Sequence, residues 1–375
     1  KSSYYPTLDA SASINERLGD SALPGSERQT QVSLSSQWLL WDFGGRRANL
    51  DSAQHTLAAL QASQDAASQQ VAIRAVQNWF TQLSAQASLE AAQASLLAAE
   101  ETAKAARQRQ LIGVATREEE LQAETALAQA KLIVIQRQGE LAASAGQLAV
   151  VAGYDADTVL ALDYQDSALD RLSQQTNAQP PELKQLLALA QERRPELIAQ
   201  QLRVKANHSE LDRIAAQARP RLSLSASSTN SRDDLNQNQG GQLALTATLP
   251  LFTGFQQRHQ QALAQSQIAE QGVELARIKQ QVSLDVWLAW QQLSTAQARI
   301  TATDSLLAAA SESSRAALAR YQAGIGNLLN VLTAQSNLAD ARQQHARSRF
   351  DLAAARLQLA QASGLLVRDT ATEFR

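Results

Sequence analysis

The sequence predicts an α+β membrane protein built from two similar halves, each with paired β-strands followed by a very long helix. Three observations support this fold class. Four runs alternate apolar and polar residues, two stretches of more than 60 residues contain almost no helix breakers, and the same features recur about 211 positions apart. Composition agrees, because only 4% of the 375 residues are aromatic while alanine, glutamine and serine are abundant. Small side chains suit long helices that pack closely.

Composition and charge exclude several classes of protein. The net charge is −2 with no basic block, so no nucleic-acid partner is expected. The absence of cysteine removes disulfides, thiol nucleophiles and cysteine-ligated metals, and no cofactor or metal is expected. No stretch approaches 18 consecutive apolar residues, so no transmembrane helix is expected, although closed β-barrels also cross bilayers. Lys1 is not a translation start, so we expect a targeting segment to have been removed.

Two internal repeats organise the chain. Residues 1–153 form the first, with strands near 7–16 and 29–40, a long helix near 45–110 and a return helix near 117–152. Residues 195–364 form the second, with a helix near 195–218, strands near 221–229 and 241–250, a long helix near 255–322 and a return helix near 327–363. The matching positions include Gln82 with Gln292, Ser95 with Ser305, Arg109 with Arg320, and Gly113 with Gly324.

The remaining segments join and flank these repeats. Residues 154–194 are a linker that is acidic and polar up to Pro181, where a short helix is expected to start, and residues 365–375 are a C-terminal tail. Pro195 is expected to start the first helix of the second repeat, because proline suits the first helical position. No counterpart of the helix near 195–218 precedes the first strand, so an N-terminal helix is expected to be missing.

Each predicted strand has one apolar and one polar face. The apolar residues are Leu8, Ala10, Ala12, Ile14; Val32, Leu34, Trp38; Leu222, Leu224, Ala226; and Leu243, Leu245, Ala247, Leu249. Runs of about 9–11 residues cross a bilayer as tilted strands. The alternative, a half-buried strand of a soluble sheet, is disfavoured because no other segment supplies a second sheet to cover these faces. Four strands cannot close a barrel, whereas three chains supply twelve, enough to enclose a lumen.

Aromatic residues gather at the strand ends that lie opposite the polar loops. They are Tyr4, Tyr5, Trp38, Trp41, Phe43, Phe252 and Phe255. A hairpin brings its two outer ends to one level, so an aromatic girdle at the membrane interface is expected. Packing at a strand–helix junction is the alternative.

The long helices carry rows of apolar residues spaced by seven, which indicate coiled-coil seams. The rows are Val286, Leu293, Ile300, Leu307 in the second repeat and Val76, Leu83, Leu97 in the first, where Glu90 interrupts. Each long helix ends at a glycine-containing turn, after which Thr116 and Asn327 are expected N-caps. Glu118, Glu119 and Glu120 occupy the first turn of the next helix, either as solvated residues that complement the helix dipole or as a cation site.

Several segments then carry a resemblance over nearly the whole chain. They are Arg-Pro-Glu-Leu at 194–197, Ala-Arg-Pro-Arg-Leu-Ser-Leu at 218–224, Leu-Pro-Leu-Phe-Thr-Gly at 249–254, and the segment from Arg320 to Leu332. Their order and duplication resemble the TolC-like outer-membrane efflux protein family. The resemblance implies a homotrimer in which one twelve-stranded β-barrel continues as a long α-helical coiled-coil tunnel into the periplasm of a Gram-negative bacterium.

The same resemblance implies an exit duct for drugs, ions or secreted proteins, as in tripartite efflux and type I secretion. Its expected partners are outer-membrane lipid, a periplasmic adaptor (membrane fusion) protein and, through the adaptor, an inner-membrane pump or ABC transporter. The adaptor-docking tip would comprise Gly113, Val114, Ala115, Thr116, Gly324, Ile325, Gly326 and Asn327. The glycines would let another backbone approach closely, or would only permit the turns.

A pore gate is implied just after the second turn, at Asn330 and Thr333 with Leu329. Well-known members carry aspartates at the positions of Asn330 and Thr333, so this chain departs from the pattern and weaker cation block is expected. Leu328, Leu329 and Leu332 would pack the closed state, and Glu118, Glu119 and Glu120 would form an acidic ring nearer the rim.

Two other classes of function stay open on the residues alone. A pore-less coiled-coil scaffold of the cell envelope explains the helices but not the alternating strands. An enzyme is disfavoured, because no nucleophile arrangement, phosphate loop or metal-ligand cluster is found, and the chain is expected not to be one. The four histidines, His55, His208, His259 and His345, are scattered singly on helices and are expected at the surface or in seams.

Overall fold

The computed structural model describes residues 2–17, 27–160, 182–232 and 237–365. Four strands are present in these ranges: β1 (Thr7–Arg17), β2 (Glu27–Trp41), β3 (Arg221–Arg232) and β4 (Gln237–Thr248). The helices are α1 (Gly45–Leu111), α2 (Arg117–Val151), α3 (Leu183–Arg193), α4 (Pro195–Ala216), α5 (Gln256–Gln322) and α6 (Leu328–Ala362). A short 3-10 turn at Ser2–Tyr4 precedes β1.

The chain divides into two compact units that cut across the sequence repeats. The sheet unit comprises residues 1–63 and 196–278, and the helical unit comprises residues 64–195 and 279–375. Each unit takes one part from both repeats, because the boundaries fall inside α1 and α5 and at the start of α4.

The sheet is a fully antiparallel meander in the order β1-β2-β3-β4. Its second hairpin is longer than expected, because Asn230 pairs with Gln239 and Arg232 with Gln237. The predicted strand ends at 229 and 241 are therefore wrong: a ladder continues wherever both backbones stay extended, even when the side chains are polar. The first predicted loop, at residues 19–26, lies outside the described residues.

The helices of the two repeats have equal lengths. Both α1 and α5 contain 67 residues, and both α2 and α6 contain 35. The offset is therefore 211 throughout, and the predicted matches of Gln82 with Gln292 and Ser95 with Ser305 are wrong by one residue. None of the helices in the described ranges combines the length and the apolar character needed to cross a membrane.

The heptad row is correct in α5 and only partly correct in α1. Val286 and Leu293 are buried, and Ile300 and Leu307 are half-buried. In α1, Leu83 is buried but Leu97 is 63% exposed, so that position was assigned wrongly. The α1 seam shifts by one step near Glu90 and continues through Leu89, Ala92, Leu96 and Ala99. Burying Glu90 unpaired would be costly, so the shift keeps that carboxylate exposed.

Part of the predicted linker is helical. Residues 183–193 form α3, with Glu182 at its N-cap position. The predicted helix start at Pro181 lies outside the described residues. Pro195 does begin α4, as expected from its fixed φ, and α4 ends at Ala216, two residues before the predicted end.

Candidate functional site

The sheet separates most apolar side chains from most polar ones over its lower half, with Ser36 as a polar exception on the apolar face. Paired residues share a face, and the registers place Leu8, Leu34, Leu224 and Leu245 on one side. In the chain alone this face is uncovered: Leu8 is 69% and Leu243 is 73% exposed. The other face carries Ser11 and Ser33, whose hydroxyls are 2.7 Å apart, with Ser35 and Ser227 in the next paired positions. One face therefore suits an apolar environment and the other suits water.

The apolar stripe runs obliquely across the sheet. One row of directly paired residues across the four strands consists of Ile14, Thr30, Arg232 and Gln237. The stripe reaches Ile14 in β1 but only Leu243 in β4, which lies six residues below Gln237. An apolar band that lies in the plane of a membrane but crosses the strands obliquely requires strands that are tilted relative to the membrane normal.

The strand–helix junctions carry consecutive residues with positive φ in both repeats. Phe43 has φ 51° and Gly44 φ 92°, while their counterparts Gly254 and Phe255 have φ 61° and 64°. Glycine and phenylalanine have exchanged places, so each junction holds one phenylalanine in the left-handed region, which is rare for a bulky residue. Each ring makes an edge-to-face contact with the preceding aromatic residue, at 6.0 Å for Trp41–Phe43 and 5.6 Å for Phe252–Phe255.

All seven predicted interface aromatics are exposed in the chain. They are Tyr4, Tyr5, Trp38, Trp41, Phe43, Phe252 and Phe255. The indole N–H of Trp38 donates to the carbonyl of Tyr4 at 3.1 Å, and the Arg46 guanidinium lies 4.8 Å from the Tyr4 ring centroid. This cluster fixes the segment before β1 against the junction that starts α1.

The two helix–helix turns have the same hydrogen-bond pattern. Gly113 and Gly324 have φ 77° and 79°, and a Cβ atom at either would meet no other atom within 4 Å. The left-handed backbone explains why glycine is needed at both positions, and the open space leaves room for another chain. Thr116 accepts from the Glu119 amide at 3.2 Å and Asn327 from the Asn330 amide at 2.9 Å, so both predicted N-caps are confirmed.

Apolar side chains project into solvent beside the glycines. Leu111 and Ile112 are each 74% exposed, and Val114 and Ile325 are also exposed. Ala115 and Gly326 are half-buried, and a Cβ at Gly326 would lie 3.0 Å from the Tyr321 backbone nitrogen. Gly326 therefore closes its turn, whereas Gly113 and Gly324 keep their surface open.

One small core lies behind both turns and joins all four long helices. Its buried members are Ala103, Ala106, Ala123, Tyr321, Leu328 and Val331. The Arg109 guanidinium lies 4.8 Å from the Tyr321 ring centroid, and its Nη1 donates to the Tyr321 carbonyl at 3.0 Å. Burial, and then the nearby Glu119 carboxylate, raise the pKa of Tyr321. Sequence reasoning missed this cluster, although an aromatic residue in an aromatic-poor helix was the available signal.

The three glutamates after the first turn do not share one environment. Glu118 is exposed and accepts from Gln122 at 3.1 Å, and Glu119 is half-buried beside Tyr321. Glu120 is only 4% exposed and forms an ion pair with Arg117. The three carboxylates of the expected acidic ring therefore differ in exposure within a single chain, and Glu118 is the most accessible of them.

The predicted gate residues point away from the chain's own core. Asn330, Thr333 and Leu329 are exposed, with Leu329 at 63%. Leu328 is instead buried in the core behind the turns, so its expected role in packing a closed pore is wrong. Leu328 is the first residue of α6, directly after the Asn327 N-cap, and it lies in one core with residues of α1 and α2.

The helical unit also contains two elongated grooves. One, of about 880 Å³, lies between α2 and α6 over small residues of α1, and the other, of about 940 Å³, is lined by all four long helices and includes Arg299, Arg347 and Glu140. His345 lies 2.8 Å from Asp304, in a pair that joins α5 and α6. Within the described ranges, no three histidine, aspartate or glutamate side chains are grouped to hold a metal ion.

Comparison with known proteins identifies relatives along the whole chain. The family model described as "Outer membrane efflux protein" matches residues 1–154 and 186–365. Protein CyaE of Bordetella pertussis is 28% identical over 373 residues, which is 98% of this chain and 77% of CyaE. The crystal structure of the outer membrane protein VceC from Vibrio cholerae superposes with a TM-score of 0.80 at 22% identity, over 97% of this chain and 88% of VceC. The open state of the MtrE outer membrane channel of Neisseria gonorrhoeae gives 0.81 at 21% identity, over 97% and 81%.

Proposed function

The chain belongs to the outer membrane efflux protein family, and we propose that it works as a homotrimer whose four-stranded sheets close into one twelve-stranded barrel. It is an outer-membrane exit duct of an efflux or secretion system. Its fold is that of transport channels rather than of enzymes, and the proposed role involves no catalysis.

The two-faced sheet is the observation that carries the proposal. An apolar face that is largely exposed in the chain needs lipid or another apolar surface, and a serine-rich face needs water. A closed barrel of three sheets meets both needs, with lipid outside and a hydrated lumen inside. Eight strands would leave the interior filled by side chains, whereas twelve leave an open passage.

The two turns are the proposed docking surface for a periplasmic adaptor, through which an inner-membrane pump or ABC transporter would deliver cargo. Exposed Leu111, Ile112, Val114 and Ile325 beside two left-handed glycines favour the apolar face of a helical hairpin as the docking element. The class of cargo, whether drug, ion or secreted protein, would follow from the pump.

Docking is tested by charging the turns without altering their backbone. Ile112→Asp with Ile325→Asp should abolish export and reduce adaptor co-purification, while the trimer still inserts. Leu97→Asp is the matched control, because Leu97 is similarly exposed on α1 and lies away from the turns. Normal export by the double variant would contradict docking at these turns.

Single-channel recording in planar bilayers tests the duct itself. The purified chain should give discrete ohmic steps, and Ser35→Trp, which places a bulky ring on the polar sheet face, should reduce their size. Leu34→Trp, on the apolar face of the same strand, should leave conductance unchanged. A folded trimer that conducts at no voltage or pH would instead favour the pore-less scaffold.

A further inference from the structure

The sheet has two open edges that run in opposite directions. The strand order places β1 and β4 outermost, and every neighbouring pair is antiparallel, so β1 and β4 are themselves antiparallel. A second copy placed head-to-tail can therefore add its β1 to β4 as another antiparallel pair. Such a heterologous contact closes into a ring if the rotation is right. This inference rests on the trimer proposed above. It concerns the register with which β4 of one copy pairs with β1 of the next.

Two requirements restrict the register. Pairing must keep apolar residues on the lipid face, so it can shift only in steps of two residues. Three identical chains must also shift equally. Since Ile14 lies level with Gln237, pairing Ile14 of the next copy with Gly241, Leu243 or Leu245 lowers each chain by four, six or eight residues.

Strand geometry removes the largest shift. With a rise of about 3.3 Å per residue and about 4.8 Å between strands, the three shifts tilt the strands by about 35°, 45° and 55°. Membrane barrels are tilted by about 35–45°.

The oblique apolar stripe separates the remaining two. It descends six residues from Ile14 in β1 to Leu243 in β4. With a shift of four, the apolar stripe would be displaced by two residues between neighbouring copies, and Ile14 would lie opposite Gly241. A shift of six keeps the stripe continuous across the seam. It sets three apolar residues of β4, and Leu249 directly after it, against four apolar residues of β1. We infer that β4 pairs with β1 of the adjacent copy with Leu243 opposite Ile14, Leu245 opposite Ala12, Ala247 opposite Ala10, and Leu249 opposite Leu8.

The natural absence of cysteine makes this register directly measurable. Ala10→Cys with Ala247→Cys should form interchain disulfides in outer membranes treated with a mild oxidant, giving covalent dimers and trimers. The matched pairs are Leu8→Cys with Ala247→Cys and Ala12→Cys with Ala247→Cys, which test shifts of four and eight. These should link about 10-fold more slowly, because diagonal positions lie about 7–8 Å apart and disulfides need closer Cα atoms.

An internal calibrator shows whether lipid-facing cysteines oxidise at all. Ala226→Cys with Leu243→Cys joins directly opposite residues of β3 and β4 within one chain and should link fully. Fastest linkage of the Leu8 or Ala12 pair overturns the register while leaving the trimer intact. No interchain linkage in a chain that sediments as a trimer overturns pairing of these edges. A chain that sediments as a monomer while the calibrator links overturns the proposed trimer itself.

Discussion

At the scale of single residues, the two left-handed phenylalanines hold strain that glycine would release. A non-glycine residue in this region costs about 1–2 kcal/mol. Phe43→Gly should therefore leave the melting temperature in detergent unchanged or higher, because relief of strain offsets the lost contact with Trp41. The same variant should be extracted from membranes more easily, since an interfacial ring is lost. Phe43→Ala keeps the strain and loses the ring, so it should melt at a lower temperature than wild type and be extracted from membranes more easily than wild type. Equal extraction of all three proteins would contradict an interfacial role.

Tyr321 gives the helix-turn core a predictable response to alkaline pH. Its pKa is raised, chiefly by burial. The folded state therefore favours the protonated phenol, and this contribution is fully present below the unfolded pKa of about 10. It is lost as pH rises through the higher folded pKa. Wild type should lose more stability than Tyr321→Phe between about pH 9 and pH 11, measured by thermal unfolding. Parallel loss in both proteins would show that the phenol is not the titrating group.

Asn330 tests the predicted gate by a change of charge. In the proposed trimer, Asn330→Asp would place three symmetry-related aspartates close together. A bound cation would stabilise these like charges. Multivalent cations added on the periplasmic side should then block conductance more tightly than in wild type, with Thr333→Asp behaving similarly. Leu329→Asp is less informative because it also removes an apolar contact surface. Tight block of wild type with no change in Asn330→Asp would show that Asn330 is away from the axis.

At the scale of elements, the two long helices differ in what covers their outer faces. On α5, Gln271 is half-buried, and the Gln200 side chain of α4 donates to both its carbonyl at 3.1 Å and its side-chain oxygen at 2.9 Å. Leu60 is the position on α1 equivalent to Gln271, and Leu60 and its neighbour Leu57 are about 60% exposed. The predicted N-terminal helix would pack there as α4 packs on α5.

A copy of α4 placed ahead of β1 tests this pairing. Joining residues 195–216 to the N-terminus should raise trimer yield and melting temperature, because it covers Leu57 and Leu60. The control copy carries Leu197→Asp and Gln200→Asp, whose equivalents in α4 are fully buried. Equal yield and equal melting of the extended chain, the control and the parent would contradict the assignment.

The sequence predicted elements well and their side-chain environments less well. Alternation and the absence of prolines located all four strands and both long helices, because these patterns follow directly from backbone geometry. The shift of the α1 seam at Glu90 was missed. In an alanine-rich helix the row through Leu97 and the row through Leu96 are almost equally apolar, and one charged residue does not show which of them is buried. Leu328 and Glu120 were misjudged for the same reason: their burial depends on neighbouring helices, and periodicity in one helix does not report it.

At the scale of the whole molecule, the repeats share a plan but not a surface. The equal helix lengths and the 211-residue offset give every turn, cap and junction a counterpart. The run of three glutamates at 118–120 and the tyrosine of the core occur in one repeat only, and phenylalanine and glycine exchange places between the two junctions. A trimer of such chains would have six similar but alternating sectors, so residues of one repeat, such as Asn330, would approach the axis without their counterparts doing so.

The open sheet edges also determine how the chain must mature. A lone copy exposes two long rows of unpaired backbone groups next to a continuous apolar face, a combination that promotes aggregation. In the proposed trimer its last hydrogen bonds would form only when another copy arrives, so completion of the fold would depend on concentration rather than on the single chain. Before that encounter the sheet needs an escort that covers its edges during transit. Overproduction should therefore exceed the capacity of such escorts and yield aggregates before it yields more channels.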